Sequence, residues 1–419
     1  MAVLSKSRAV SLDKTGNGLL KLQLAVFALV TASFTNIYLP QPVLPIIQGE
    51  FGVGPAQASM TVSFVILGIV LSNLLFGYLS DRYPIRPIIA VGGFMVALGG
   101  IISALTPNFN FLVGARLLQG LFIPALTTSL AAWLARTLPA RRLSTVMGAY
   151  VSATIMGGLG GRLLGGWIHP PLHWRYAFFS AAALIAVTTI MAVVLLPPAP
   201  RREAGALPDG VVPPPDSSPD TSTATPDTET EHGYLALLKR KELLLIFGCG
   251  AGSLLIFSPV FNYLPYRLAA PPFGFSTEVI TMVYLVYVLG IFLGPVAGQF
   301  SARFGGGVML IAGSILLGCS LGLLLLPSVT AVLIGLLGVC GGFFTVHAVA
   351  VVLLNRKLKA DHGRANALYV LCYYTGGWIG INGAGLCLEY LGWHGVIGFV
   401  GCFLVIPLAA GILERRGGN

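Results

Sequence analysis

Apolar residues run through the chain in long stretches, each closed by a short polar or basic turn before the next begins. A helix needs roughly 20 such residues to cross the hydrocarbon of a bilayer. Twelve stretches are long enough, at about 22–46, 56–79, 87–106, 109–135, 144–168, 174–197, 242–265, 277–300, 307–327, 329–354, 364–388 and 393–413. The pattern predicts an all-α membrane protein with twelve transmembrane helices. The first stretch is too long for the core of a cleaved signal peptide, so it is expected to stay in the membrane.

Between Pro198 and about Gly233 the pattern stops, and Pro, Asp, Ser and Thr replace the large apolar residues. Such a segment cannot bury a core. It predicts a cytoplasmic N-terminal segment at 1–21, a six-helix bundle at 22–197, a disordered cytoplasmic linker at 198–241, a second six-helix bundle at 242–413 and a tail at 414–419. The bundles repeat each other. Gly77, Ser80 and Arg82 recur as Gly298, Ser301 and Arg303, while Gly157, Gly161, Gly165 and Trp174 recur as Gly376, Gly380, Ala384 and Trp393. Two matches at nearly one offset indicate an internal duplication, an arrangement suited to alternating access.

Composition sharpens the picture. Of 419 residues, 55% are hydrophobic and 10% charged, with a mean hydropathy of +0.84, where soluble proteins carry about a quarter charged residues. The 53 glycines point to close helix packing in lipid. The formal charge of +10 would suggest nucleic acid in a soluble protein. Here the basic residues fall in loops: with the N-terminus inside, 21 of the 25 Lys and Arg are cytoplasmic. Arg175 and Arg267 lie on the other side, and Arg116 and Arg162 within spans. Both termini are therefore expected in the cytoplasm, with the chain in the inner (plasma) membrane and no nucleic acid as partner. The six cysteines sit in apolar stretches and read as reduced packing residues. No metal-ligand spacing, phosphate-binding loop or nucleophile constellation appears, so no metal, no cofactor and no enzymatic activity is expected.

The loop after the second helix reads Gly77-Tyr-Leu-Ser-Asp81-Arg82-Tyr-Pro-Ile-Arg86. In the fourth helix stand Arg116, Gln119 and Gly120; the fifth reads Gly157-Gly-Leu-Gly-Gly161-Arg162-Leu-Leu-Gly165. On these motifs the chain resembles the major facilitator superfamily over essentially its whole length, and its Gly-rich fifth helix is similar to that of the drug–proton antiporter branch. Pro84 stands where the family usually has Gly, and Arg162 where the Gly-rich signature carries Pro. The resemblance implies the major facilitator fold, with Gly77, Asp81, Arg82 and Arg86 as a latch on the outward-facing state. It also implies efflux of small organic or amphipathic molecules driven by a proton gradient.

No Asp or Glu falls at mid-membrane. The candidates for charge and coupling are therefore Arg116, Arg162, His347, and Glu278 and Glu389 at helix ends. Arg162 is expected to pair with Glu278, or less readily Glu389, across the halves, with direct binding of an anionic substrate as the rival. Gly157, Gly161, Gly165, Gly376 and Gly380 are expected to pack helices closely, one half against the other. Polar and aromatic residues within spans outline a pocket: Asn36, Tyr38, Gln119, Asn262, Tyr263, Tyr284, Tyr287, Tyr373, Tyr374, Trp378 and Asn382. Three readings stand: a proton-coupled exporter acting as a monomer on a small-molecule substrate, an organic-anion exporter or exchanger, and a membrane receptor or scaffold that transports nothing.

Overall fold

The computed structural model describes residues 17–196, 234–358 and 362–417, and every regular element among them is helical. The first half comprises α1 (Asn17–Tyr38), α2 (Leu44–Phe51), α3 (Pro55–Ala58), α4 (Met60–Arg82), α5 (Ile85–Leu105), α6 (Phe109–Leu126), α7 (Thr128–Thr137), α8 (Ala140–Ile168) and α9 (Arg175–Leu195). The second comprises α10 (Tyr234–Lys239), α11 (Lys241–Ala269), α12 (Thr277–Val283), α13 (Leu289–Phe304), α14 (Gly306–Leu323), α15 (Val329–Arg356), α16 (His362–Cys402) and α17 (Val405–Gly417).

Among the described residues nine segments are long and apolar enough to cross a membrane, and ten if α12 and α13 together make one broken span. Two further crossings follow from lengths. Gly363–Arg416 counts once at 54 residues, about 80 Å at 1.5 Å per residue, and its helix is broken at Gly392, whose φ of 64° only glycine adopts readily. The 29-residue α8 is long enough to cross but less apolar, its sequence being rich in Gly, Ser and Thr and carrying Arg162.

Two prolines explain the first break. Pro40 precedes and Pro42 lies within a single 3-10 turn, Gln41–Val43, that separates α1 from α2, since proline cannot supply the N–H that a continuing helix needs. The first candidate crossing runs Leu19–Phe51, where 22–46 was expected. Another 3-10 turn, Tyr284–Val288, joins α12 to α13 and carries two buried tyrosines. Part of the expected linker is ordered: α10 lies within 198–241 and buries Leu237. The remainder of that linker call and most of the N-terminal segment lie outside the described residues.

Each half is built on one glycine seam. A Cβ on Gly157, Gly161 or Gly165 would strike the carbonyl oxygens of Thr31 and Thr35 on α1 and of Leu39 just past its end, and one on Gly376 or Gly380 would strike those of Ala251 and Leu255 on α11. The two seams are the same contact, in register with the sequence repeat. They correct one expectation: these glycines bind α8 to α1 and α16 to α11 within a half, not one half to the other. Contacts at the side where α1 starts and α9 and α17 end define a terminal face. There Arg86 Nε donates to Leu196 O at 2.7 Å and Lys357 Nζ meets Glu414 at 3.0 Å.

Candidate functional site

A cavity of about 770 Å³ separates the halves, lined by α1, α8, α11, α13, α15 and α16 together with the Tyr284–Val288 turn. Along α8 its wall runs from Met147 to Arg162, about 22 Å at 1.5 Å per residue. Met147 and Val351 stand toward the terminal face, where α8 starts and α15 ends. Arg162, six residues from the end of α8, forms the floor. Much of the wall is aromatic. Phe257 stacks on Phe343 with centroids 3.8 Å apart, Phe343 lies parallel to His347, and His347 meets Tyr373 at 4.8 Å. His347 Nδ1 is 2.9 Å from the hydroxyl of Tyr369.

Arg162 is only 2% exposed. Its Nε donates to Gln41 Oε1 at 2.7 Å, Nη1 to the carbonyl of Gly158 at 2.6 Å and Nη2 to the Tyr287 hydroxyl at 2.9 Å. The guanidinium also lies over Tyr38 and Tyr287, 4.2 and 4.1 Å from the ring centroids. Such stacking favours a cation in a dry site. Beyond the floor the network continues between the halves: Gln41 Nε2 donates to Asn262 Oδ1 at 3.2 Å, and Asn262 Nδ2 to Ser59 Oγ at 2.9 Å. Ser63 reaches Asn382 at 3.4 Å. Close backbone contact seals the same side, where Gly166 packs on Thr281 and Gly385 on Ala56. At the terminal face the described ion pairs stay within one half: Asp81 with Arg136, and Lys357 with Glu414 and Glu242. The cavity is thus closed at one end and open toward the other.

Residues 26–356 match the sequence profile described as Major Facilitator Superfamily. The chain belongs to that superfamily. It is 28% identical over 398 residues to the inner membrane transport protein YnfM of Escherichia coli, covering 95% of this chain and 91% of that protein. A multidrug resistance protein B homolog of Mycobacterium tuberculosis is 30% identical over 129 residues, 31% of this chain and 24% of its own. Among solved structures, a bacterial homolog of the human lysosomal transporter Spinster, in an inward-facing and unoccupied conformation, superimposes with a TM-score of 0.72 at 15% identity, over 96% of this chain and 98% of the other. The protein is a multi-pass membrane transporter of the major facilitator fold.

In this facilitator the expected site residues divide into three groups. Tyr38, Tyr287, Tyr373, Arg162 and His347 line the cavity. Asn262, Asn382 and Tyr263 belong to the sealed end, Tyr263 donating to Ile381 O at 2.7 Å, and Tyr284 bonds Phe261 O. Asn36 and Gln119 lie inside the first half around Arg116, which is fully buried. Arg116 donates to the carbonyls of Thr61 and Ile37 at 2.6 and 2.8 Å and to Gln119 Oε1 at 2.5 Å, and Gln119 Nε2 reaches Val96 O at 2.9 Å. Arg116 is thus a tie among α1, α4 and α6, extended to α5 by Gln119, and not part of the cavity wall. Tyr374 and Trp378 also lie outside that wall, Tyr374 packed edge-on to Tyr373 at 5.3 Å.

The charge pair from Arg162 to Glu278 or Glu389 is not formed. Among the described residues no carboxylate pairs with Arg162, whose described acceptors are the neutral oxygens of Gln41, Gly158 and Tyr287. Glu278 lies at the start of α12, near His169, and Glu389 beside Gly54 across the halves. Within the loop motif, Asp81 pairs with Arg136 of its own half, Arg86 binds the Leu196 carbonyl and Arg82 stacks on Tyr78. A Cβ on Gly77 would meet nothing. With the terminal face open, the motif bridges nothing between halves.

Three groups were not singled out from the sequence. Gln41, set between Pro40 and Pro42, carries a signal in being an amide inside an apolar run. Ser59 and Ser63 carry none, being ordinary residues at the start of a span. Phe257, Phe343 and Phe344 are silent because an aromatic facing a cavity and one facing lipid have the same sequence pattern.

Proposed function

We propose that this transporter exports small amphipathic organic molecules from the cytoplasm in exchange for protons, by alternating access. The observation that carries the reading is the cavity between two duplicated halves, sealed beyond Arg162 and open toward the face that bears the termini. The excess of basic residues at that face supports placing it in the cytoplasm, so the conformation described would load cargo from inside. An aromatic wall with few polar tips suits an amphipathic guest. Alternating access follows if the network around Gln41 opens while the terminal face closes, and Asp81, Arg82 and Arg86 then meet the second half.

Among the described residues no carboxylate lines the cavity, so His347 is the wall side chain with a basic ring nitrogen that can take up and release a proton. Its ring is exposed to cargo on one side and held by Tyr369 on the other. The test is transport of amphipathic fluorescent compounds into inside-out vesicles with and without an imposed pH gradient. Uptake is expected to follow the gradient in the wild type and to lose that dependence in His347→Gln. Uptake independent of the gradient in both would refute proton exchange, and no uptake of any compound would refute export.

A further inference from the structure

We infer that the cavity takes amphipathic organic anions, head-first onto Arg162, and that the bound anion itself releases the seal between the halves. This rests on the transporter reading above and names its cargo class. A guanidinium offers five N–H donors. Three are used, on Gln41, Gly158 and Tyr287, and two have no described acceptor. The positive charge has no counter-ion among the described residues, although it is 2% exposed. A buried cation held only by neutral partners is costly, and the site is therefore primed for a negative charge.

The position of Arg162 supplies the second step. It is at once the floor of the cavity and the first link of the seal. A carboxylate or sulfonate needs two parallel N–H groups to bind in bidentate fashion, and such charge-assisted bonds are about twice as strong as neutral ones. Gly158 O lies on the same helix and moves with Arg162. Tyr287 belongs to the opposite half, so its bond is the one that an incoming anion displaces. Once Arg162 turns to its cargo, the seal keeps Asn262 and Ser59 but loses its charged member. Meanwhile Phe343 and Tyr38 hold the apolar body of the guest.

The test uses two probes with one ring skeleton, 1-anilinonaphthalene-8-sulfonate and the neutral N-phenyl-1-naphthylamine, titrated by fluorescence into the full chain in nanodiscs. Arg162→Gln is expected to weaken the sulfonate at least tenfold and to leave the neutral probe within twofold. Tyr287→Phe, which removes the competing acceptor and keeps the charge, is expected to tighten the sulfonate severalfold. 1-Naphthoate is expected to displace the sulfonate, and 1-naphthalenemethanol not to. Spin labels at Gln57 and Tyr390, one on each half at the sealed face, report the gate: their separation is expected to widen with the sulfonate and not with the neutral probe, and to stop responding in Arg162→Gln.

Equal weakening of both probes by Arg162→Gln, or of neither, overturns the anion site. Widening by both probes alike also overturns it, while leaving transport intact. A separation that never changes, with either probe or across pH, counts against alternating access itself and removes the inference with it.

Discussion

Gln41→Leu isolates the energy of the seal. Leucine keeps most of the volume and removes two bonds at once, Arg162 Nε to Oε1 at 2.7 Å and Nε2 to Asn262 Oδ1 at 3.2 Å. In the sealed state both partners lose an acceptor or donor in a dry site, whereas in the opened state water replaces them. The loss therefore falls on the sealed state alone. A bond to a charged group contributes about 1.5–3 kcal/mol and a neutral one about 1 kcal/mol. Hydrogen bonds measured inside membrane proteins average about 0.6 kcal/mol. The two bonds together are then worth roughly 1.2–4 kcal/mol, a shift of roughly sevenfold to several hundredfold at 1.4 kcal/mol per decade. The reporter is Thr281→Cys, at a residue buried against Gly166 across the seal, in a background without the native cysteines. Its labelling by a membrane-impermeant maleimide should accelerate by a factor in that range when Gln41→Leu is added. A rate within about twofold of the parent, in protein that remains monodisperse, would mean that the polar network does not hold the seal.

Gly161→Val and Gly380→Val, at matching places on the two seams, should lower the melting temperature alike. Each costs about 1–3 kcal/mol by overpacking, while Gly77→Ala, with open space around it, should leave it unchanged. Arg116→Met should destabilise the first half by about 2–3 kcal/mol through its lost carbonyl contacts. It should not alter probe affinity in the cavity, and a selective loss of affinity would contradict its role as a tie. At the sealed face, outside the spans, burial and then the neighbouring His173 hold the His169 imidazole below its ordinary value. The folded, sealed form thus resists protonation, and stability present above about pH 6.5 should fade as the pH drops through the folded value. Thr281→Cys labelling, divided at each pH by the rate of a free thiol because only the thiolate reacts, should be faster at pH 5.5 than at 7.5, and His169→Gln should abolish that difference.

Much of this architecture is visible in the sequence for physical reasons. The seams could be found because a backbone-to-backbone contact tolerates no side chain, so Gly157, Gly161, Gly376 and Gly380 are marked by residue type alone. Their partners could not: Thr31, Thr35, Ala251 and Leu255 contribute carbonyls, which every residue has. The same holds for Arg116, tied to the carbonyls of Ile37 and Thr61. The expected pairing of Arg162 with Glu278 failed because it counted only opposite charges. Three neutral oxygens and two tyrosine faces hold the guanidinium in place without a carboxylate. Of the expected pocket, the tyrosines on its wall were legible, while the phenylalanines were not, since apolar residues in an apolar helix do not declare which way they face.

Among the described residues Arg162 is the one Lys or Arg lining the cavity, and under the proposed mechanism its charge would make the carrier sensitive to voltage. Arg162 stays on the first half, but rocking the halves transfers it from contact with one aqueous phase to contact with the other, so its charge crosses much of the membrane field. A unit charge crossing the whole field is worth about 2.3 kcal/mol per 100 mV. With an anion bound the pair is neutral and the loaded step feels little. The empty carrier returns with its positive charge toward a negative interior, and the membrane potential drives that return. Export of one anion per cycle would then draw current, on top of any pH gradient, and the step driven by voltage would be the one that carries no organic cargo.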